Sequence, residues 1–276
     1  MGRAIVFIHG AWVTPLCWEP FRGHFEKLGF ECIAPAWPGK ERPVEAIRKD
    51  PSPLLGLGIA EIADHYAEII GRLDEPPILI GHSFGGLFVQ ILLDRGLGAA
   101  GVAIDPAPPK GVMVYEPTAI RSLASVLLTP RGWRKVVHWS YENFRYAFVH
   151  TLTESDARAA FASQVTPETG RIFFQDGLAA FDGKSPATVN FLNHSRAPLL
   201  IIAGEKDRIV PAAANRRNHL KYAGSKAVTD FHEFPGRTHW IIAQPGWEEV
   251  ADHIHGWLAA RIPGEPPLGP AQGLSG

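Results

Sequence analysis

Ser83 sits in the run Gly81-His82-Ser83-Phe84-Gly85, with a further glycine at position 86. A serine flanked in this way suits a tight turn between a strand and a helix, because the close approach of the two leaves no room for Cβ atoms at the flanking positions. Its Oγ then projects clear of the backbone, and the helix N-terminus offers free N–H groups to a developing oxyanion. A hydroxyl so placed needs a base, and the base needs an orienting carboxylate. His239, in Gly236-Arg237-Thr238-His239-Trp240, is the candidate base, and Asp207, in Gly204-Glu205-Lys206-Asp207-Arg208, is the candidate acid. Asp105, beside Pro106, is the alternative acid. A second oxyanion donor must come from a loop after an earlier strand, and His9-Gly10-Ala11-Trp12 occupies that place. The N–H groups of Ala11 and Phe84 would form the hole, and Gly10 would let the loop turn towards the serine. Trp12 and Trp240 adjoin these loops and are the candidates for contacting substrate. The implied chemistry is attack of a serine oxygen on an acyl carbon.

The other histidines fit less well. His9 precedes a turn glycine and shapes it. Strand alternation points His82 away from Ser83. His232 falls inside a strand. His253 and His255 are two apart on a helix, so they share no face and make no metal pair. Dinucleotide, P-loop, H-E-x-x-H and C-x-x-C patterns are absent, and no cofactor or metal is expected.

The surrounding elements can position these residues. Short apolar runs at 4–8, 32–34, 78–80, 102–104, 198–204 and 230–234 read as strands. Helical patterns follow at 18–28, 59–73, 84–95, 212–222 and 247–258. Continuous apolar strands alternating with helices predict an α/β fold with a mostly parallel sheet of about six strands, covered on both faces. Residues 107–195 break the alternation with aromatic-rich helical segments. The expected organisation is therefore a core of residues 1–106 and 196–262, a helical cap at 107–195, and a disordered Pro/Gly-rich tail at 263–276.

Composition limits the partners. A net charge of −1 provides no field for nucleic acid or an anionic membrane. No run approaches a membrane span, and the N-terminal apolar run is too short for a signal peptide. The two cysteines, Cys17 and Cys32, make no disulfide framework. A cytoplasmic protein acting on a small molecule, as a monomer or homodimer, is expected.

The runs around His9-Gly10, Gly81 to Gly86, Asp207 and His239 resemble the α/β-hydrolase superfamily over residues 4 to 260, and most of all small bacterial capped hydrolases. The resemblance implies a two-step acyl-enzyme mechanism with Ser83, Asp207 and His239 as the triad. A departure from the family is also expected: without the two antiparallel strands that usually open the fold, the sheet would keep about six strands and an edge open to dimerisation. The expected reaction is hydrolysis of a carboxylic ester or lactone of a small, largely apolar substrate. A hydroxynitrile lyase, an acyltransferase, or a ligand-binding receptor on the same scaffold are the alternatives. A lyase would want a cationic side chain near the serine; Lys206 and Arg237 lie near the acid and the base in sequence, but nothing in the sequence aims them inward.

Overall fold

The computed structural model describes residues 3–262. The apolar runs form strands β1 (Ala4–Ile8), β2 (Glu31–Ile33), β3 (Ile78–His82) and β4 (Ala100–Ile104). A small ribbon, β5 (Val136–Val137) and β6 (Glu168–Thr169), follows, and then β7 (Leu199–Gly204) and β8 (Thr229–Phe234). The main sheet has six strands in the order β2-β1-β3-β4-β7-β8, and every adjacent pair is parallel. All five residues of β3 and all six of β7 are buried, which is why these strands are continuous apolar runs instead of alternating ones.

The helices are α1 (Glu19–Lys27), α2 (Val44–Lys49), α3 (Ile59–Ile70), α4 (Phe84–Asp94), α5 (Pro117–Leu127), α6 (Tyr141–Ala147), α7 (Glu154–Gln164), α8 (Arg171–Gly177), α9 (Ala212–Lys221) and α10 (Trp247–Arg261). Helix α4 is buried from Phe84 to Leu93, so the segment that carries the serine runs through the middle of the core. The order of strands centres β3, and with it Ser83, in the sheet.

Element boundaries shift by one to three residues from the sequence pattern, each for a local reason. The first helix begins as a 3-10 turn, Pro15–Trp18, capped by the Thr14 side chain, before α1 proper. Strand β4 starts two residues earlier, at Ala100 and Gly101. Gly101 lies under α4, where a Cβ would come within 2.5 Å of Leu93 Cδ1, so this stretch of strand is small-residued. The segment between β4 and β7 is not purely helical. Its four helices are joined by the antiparallel β5–β6 ribbon, whose strands of two residues are too short to show alternation. The tail at 263–276 lies outside the described residues.

The β6 strand also fastens this insertion to the core. Lys40, 1% exposed, places Nζ 2.6 Å from Glu168 Oε2, and Glu168 is fully buried. Lys40 Nζ also donates to the Val13 carbonyl and to Thr166 Oγ1. The same Glu168 Oε2 accepts the backbone N–H of Trp12 at 3.1 Å, and Trp12 O accepts Thr166 N–H at 2.8 Å. Burial lowers the Lys40 pKa, and the adjoining Glu168 offsets this. The pair therefore ties the loop after β1, in which Trp12 holds φ at +63°, to the insertion. Lys40→Met leaves Glu168 as an uncompensated buried charge and should lower unfolding free energy by about 3–5 kcal/mol. The denaturant midpoint reads this, and the double variant Lys40→Met/Glu168→Leu should recover most of the loss. A single variant as stable as wild type would mean that the pair does not hold the insertion down.

Candidate active site

Ser83 occupies the turn between β3 and α4 with φ 57° and ψ −123°. A non-glycine residue in this region carries strain of about 1–3 kcal/mol, and the surroundings must over-determine it. They do so through both backbone groups. Ser83 N–H donates to Ile104 O at 2.9 Å, and Ser83 O accepts from Gly86, Leu87 and Ala107 N–H. The flanking glycines are sterically required. A Cβ at Gly81 would lie 2.1 Å from Gly85 O, and one at Gly85 would lie 1.9 Å from Ile8 O. The loop after β1 presses on the serine itself. A Cβ at Gly10 would lie 2.7 Å from Ser83 Cβ and 3.3 Å from its Oγ. Gly10 is therefore glycine because of this close approach; it is not among the residues with positive φ. The N–H groups of Ala11 and Phe84 have no hydrogen-bond partner among the described residues, so both are free to donate beside Ser83.

His239 and Asp207 meet. His239 Nδ1 lies 2.6 Å from Asp207 Oδ2, with both side chains fully buried. Asp207 Oδ1 accepts the N–H groups of Ile209 and Val210 at 2.7 and 2.9 Å. A carboxylate that accepts on three sides is fixed in orientation and acts on the ring as an acceptor, so Nδ1 carries the proton and Nε2 is left as the basic nitrogen. Nε2 is buried without a hydrogen-bond partner, and Ser83 Oγ makes no hydrogen bond among the described residues. In unliganded sites this contact is commonly long and tightens with substrate. The two loops are stitched together: Lys206 N–H donates to Arg237 O at 2.7 Å, and Gly236 N–H to Glu205 Oε2 at 2.8 Å. Thr238 donates both N–H and Oγ–H to Gln244 Oε1, which shapes the turn before the histidine.

Two residues that the sequence did not assign to the site pack on this ring. The Phe148 edge meets His239 at 4.6 Å and 82°. His82, which strand alternation points away from Ser83, packs against His239. Its ring centroid lies 4.6 Å from that of His239, and its Nε2–H donates to the His239 carbonyl at 2.8 Å. The reason is that the base loop, 157 residues further along the chain, folds back over the end of β3. His9 does shape its turn: Nε2 accepts Trp37 N–H at 3.2 Å, so the protonated Nδ1 donates to Gly10 O at 2.8 Å. Burial depresses all three imidazoles, His239 to about 3.

Asp105 also points into this cluster. It is fully buried with φ +42°, and its Oδ1 accepts Gly204 N–H at 2.8 Å. Ligand atoms of Asp105, Asp207 and His239 all lie within 4.8 Å of one another. The His239 hydrogen bond, however, goes to Asp207 alone. Burial and the neighbouring Asp207 raise the Asp105 carboxyl well above its ordinary value, which makes it the member of the pair that carries a proton. Burial also raises Asp207, and the two backbone donors oppose that shift.

A cavity of about 300 Å³ opens beside Ser83. Trp12, Phe84 and Phe173 line it near the serine, and Ile120, Leu123 and Leu127 line it further out. Trp12 is sandwiched between Trp139 at 3.6 Å and Phe173 at 4.4 Å, so it packs the insertion onto the core and lines the cavity as well. Trp240 is not in the cavity wall; it packs against Phe144 and Phe148. Lys206 pairs with Glu205, and Arg237 bonds Pro245 O, Gly246 O and Glu249, so neither reaches the serine.

The whole-chain pattern agrees with this geometry. The α/β-hydrolase family model matches residues 5–253, and the chain belongs to that family. Among solved structures it is similar to a monoacylglycerol lipase from Paleococcus ferrophilus, at 23% identity and TM-score 0.63, covering 93% of this chain and 94% of that one. A pyrethroid hydrolase from Sphingobium faniae JZ-2 matches at 18% identity and TM-score 0.66, covering 96% and 99%. An extracellular α/β-hydrolase from a Paenibacillus species matches at 19% and 0.66, covering 92% and 98%. At these identities the likeness concerns the fold. Among the described residues, no helix is long and apolar enough to cross a membrane.

Two expectations follow from the geometry. Asp207→Asn removes the acceptor that sets the His239 tautomer and should lower kcat by about 10⁴-fold. Asp105→Asn replaces a neutral carboxyl with a neutral amide and should stay within about tenfold, a small part of the loss a working catalytic group shows. The reverse ranking in ester hydrolysis would move the acid to Asp105. The pH profile gives the second. A base is competent when neutral, and a depressed pKa extends the neutral range downward. The acid limb of kcat/KM should therefore fall below about 6.5, the free histidine value. A limb at or above that value would mean that the base is not desolvated.

Proposed function

We propose that the protein is a serine hydrolase that cleaves a carboxylic ester or lactone of a small, largely apolar substrate, with Ser83 as nucleophile, His239 as base and Asp207 as acid. The observation that carries this reading is the 2.6 Å His239–Asp207 hydrogen bond, together with a serine held at φ 57° on a strand–helix turn. His239 Nε2 takes the Oγ proton as Oγ bonds to the carbonyl carbon, and the carbonyl π electrons move onto oxygen. The free N–H groups of Ala11 and Phe84 stabilise that oxyanion. The tetrahedral intermediate collapses, the C–O bond to the alcohol breaks, and His239 returns the proton to the leaving oxygen. Water then repeats the sequence on the acyl-serine: His239 takes its proton, hydroxide adds, and Ser83 Oγ leaves with the proton.

Residues 107–195 act as the cap that selects substrate. The cavity wall is mostly aliphatic and aromatic, which suits an apolar acyl or alcohol group and disfavours an anion. The lyase alternative is weakened because Lys206 and Arg237 are engaged elsewhere, and Lys110, in the cavity wall, donates its Nζ to Asp182 O. The protein is taken to work in the cytoplasm, without cofactor, metal or nucleic acid, as a monomer or homodimer.

Ser83→Ala should lower ester hydrolysis by about 10⁴–10⁶-fold while substrate still binds. A panel of p-nitrophenyl esters of increasing chain length reads both the loss and the size of the cavity. Retained turnover in the variant would remove Ser83 from the mechanism, and cyanide release from a cyanohydrin would favour the lyase.

A further inference from the structure

The cavity that opens on Ser83 has one ionisable side chain without a partner. Asp176, on α8, is in its wall. Neither of its oxygens makes a hydrogen bond among the described residues; Oδ1 is buried, while the residue as a whole is half-buried and Oδ2 is the oxygen a ligand in the cavity can reach. No salt bridge reaches it among the described residues; Lys110, also in the wall, is committed to the Asp182 carbonyl. Around it the wall is hydrocarbon: Leu123, Leu127 and Phe173. A buried polar atom without a partner costs free energy, and in a native protein it calls for an explanation such as an absent ligand. Nothing in the helix itself requires an acid here. Asp176 lies in the last turn of α8 (Arg171–Gly177), where a negative charge opposes the helix dipole.

This inference rests on the reading of Ser83 as the nucleophile, which fixes where the reacting carbonyl lies in the cavity. We propose that Asp176 hydrogen-bonds a hydroxyl group on the substrate remote from the scissile carbonyl, so that the enzyme selects a hydroxyl-bearing apolar ester over its methyl-terminated counterpart. A hydroxyl both donates and accepts, so it satisfies the carboxyl in either protonation state. Burial raises this carboxyl to about 8. An ammonium group would have to form a desolvated ion pair in the same place, at greater cost. A site built around a hydrogen bond discriminates strongly against a ligand that lacks it, because its own polar atom is then left bare.

The test compares pH-stat hydrolysis of three matched ester series, ending in hydroxyl, methyl or ammonium, with the terminal group on either the acyl or the alcohol chain. Asp176→Leu and Asp176→Asn are measured beside the wild type. For the wild type, the hydroxyl ester should have a higher kcat/KM than the methyl ester on one side of the ester bond. Asp176→Leu should lower that ratio by about tenfold, the worth of one hydrogen bond. Asp176→Asn, which can still donate and accept, should keep most of the preference. A ratio unchanged in Asp176→Leu would overturn the proposal, as would an ammonium ester preferred to the hydroxyl ester. Binding of the corresponding ketones, which have no cleavable ester bond, separates the two readings. Quenching of tryptophan fluorescence, to which Trp12 in the cavity wall contributes, should show the same loss of hydroxyl preference in Asp176→Leu even if hydrolysis fails. Equal affinity of the wild type for hydroxyl and methyl ketones would reject the role of Asp176 whatever the outcome for Ser83.

Discussion

Everything in this site depends on how closely three backbone segments approach at the C-terminal end of the central strand. The loop after β1, the end of β3 and the first turn of α4 come so near that Cβ atoms at Gly10, Gly81 or Gly85 would all fall under 3 Å from a neighbour. This contact holds Ser83 in a conformation it would not adopt alone, and four backbone hydrogen bonds keep it there. It also brings two unpaired N–H groups beside the hydroxyl. Packing of small residues and the placement of Ser83 are one constraint, since widening any of the three gaps would relax the turn.

The second controlling influence is exclusion of water, and it comes from the segment between β4 and β7. Phe148 packs perpendicular to the His239 ring, and Trp240 N–H donates to the Phe148 carbonyl at 3.3 Å. His82 closes another side. In that setting the imidazole remains neutral, and the nearby carboxyls differ in role. Asp207 has two backbone donors and the histidine; Asp105 has Gly204 N–H and lies against another acid. Their hydrogen-bond surroundings differ: only Asp207 bonds the His239 ring, although both carboxyls lie close to it. The same segment reaches the loop after β1 through Glu168, so the positions of the insertion and of that loop are mechanically connected.

Much of the sheet was legible in the sequence because strands buried on both faces must be apolar throughout, as Ile78 to Ile80 and Leu199 to Ala203 are. Ser83, Asp207 and His239 were readable as candidates because each lies in a loop after a strand of the sheet, where chain order limits the choices; the strands before Ser83 and Asp207 are buried throughout, whereas β8, before His239, is only half-buried. What stayed hidden depends on pairs distant in sequence. Lys40 and Glu168 are 128 residues apart, and neither lies in a periodic pattern that marks it as buried. His82 obeyed strand alternation locally but was claimed by a loop from the far end of the chain. Asp176 resembles any acid on an exposed helix face until the cavity beside it is seen. The β5–β6 ribbon is too short to leave a pattern, and Trp240 adjoins the base in sequence yet turns away to pack on Phe144.

The central claim is that the hydroxyl of Ser83, strained and set beside a desolvated imidazole, is the reacting nucleophile. It is tested most directly by treating the protein with a fluorophosphonate and mapping the modified peptide by mass spectrometry. The account predicts a single stoichiometric adduct on Ser83, formed in the wild type and lost in His239→Ala. An unmodified Ser83, or labelling that proceeds equally well without His239, would contradict it.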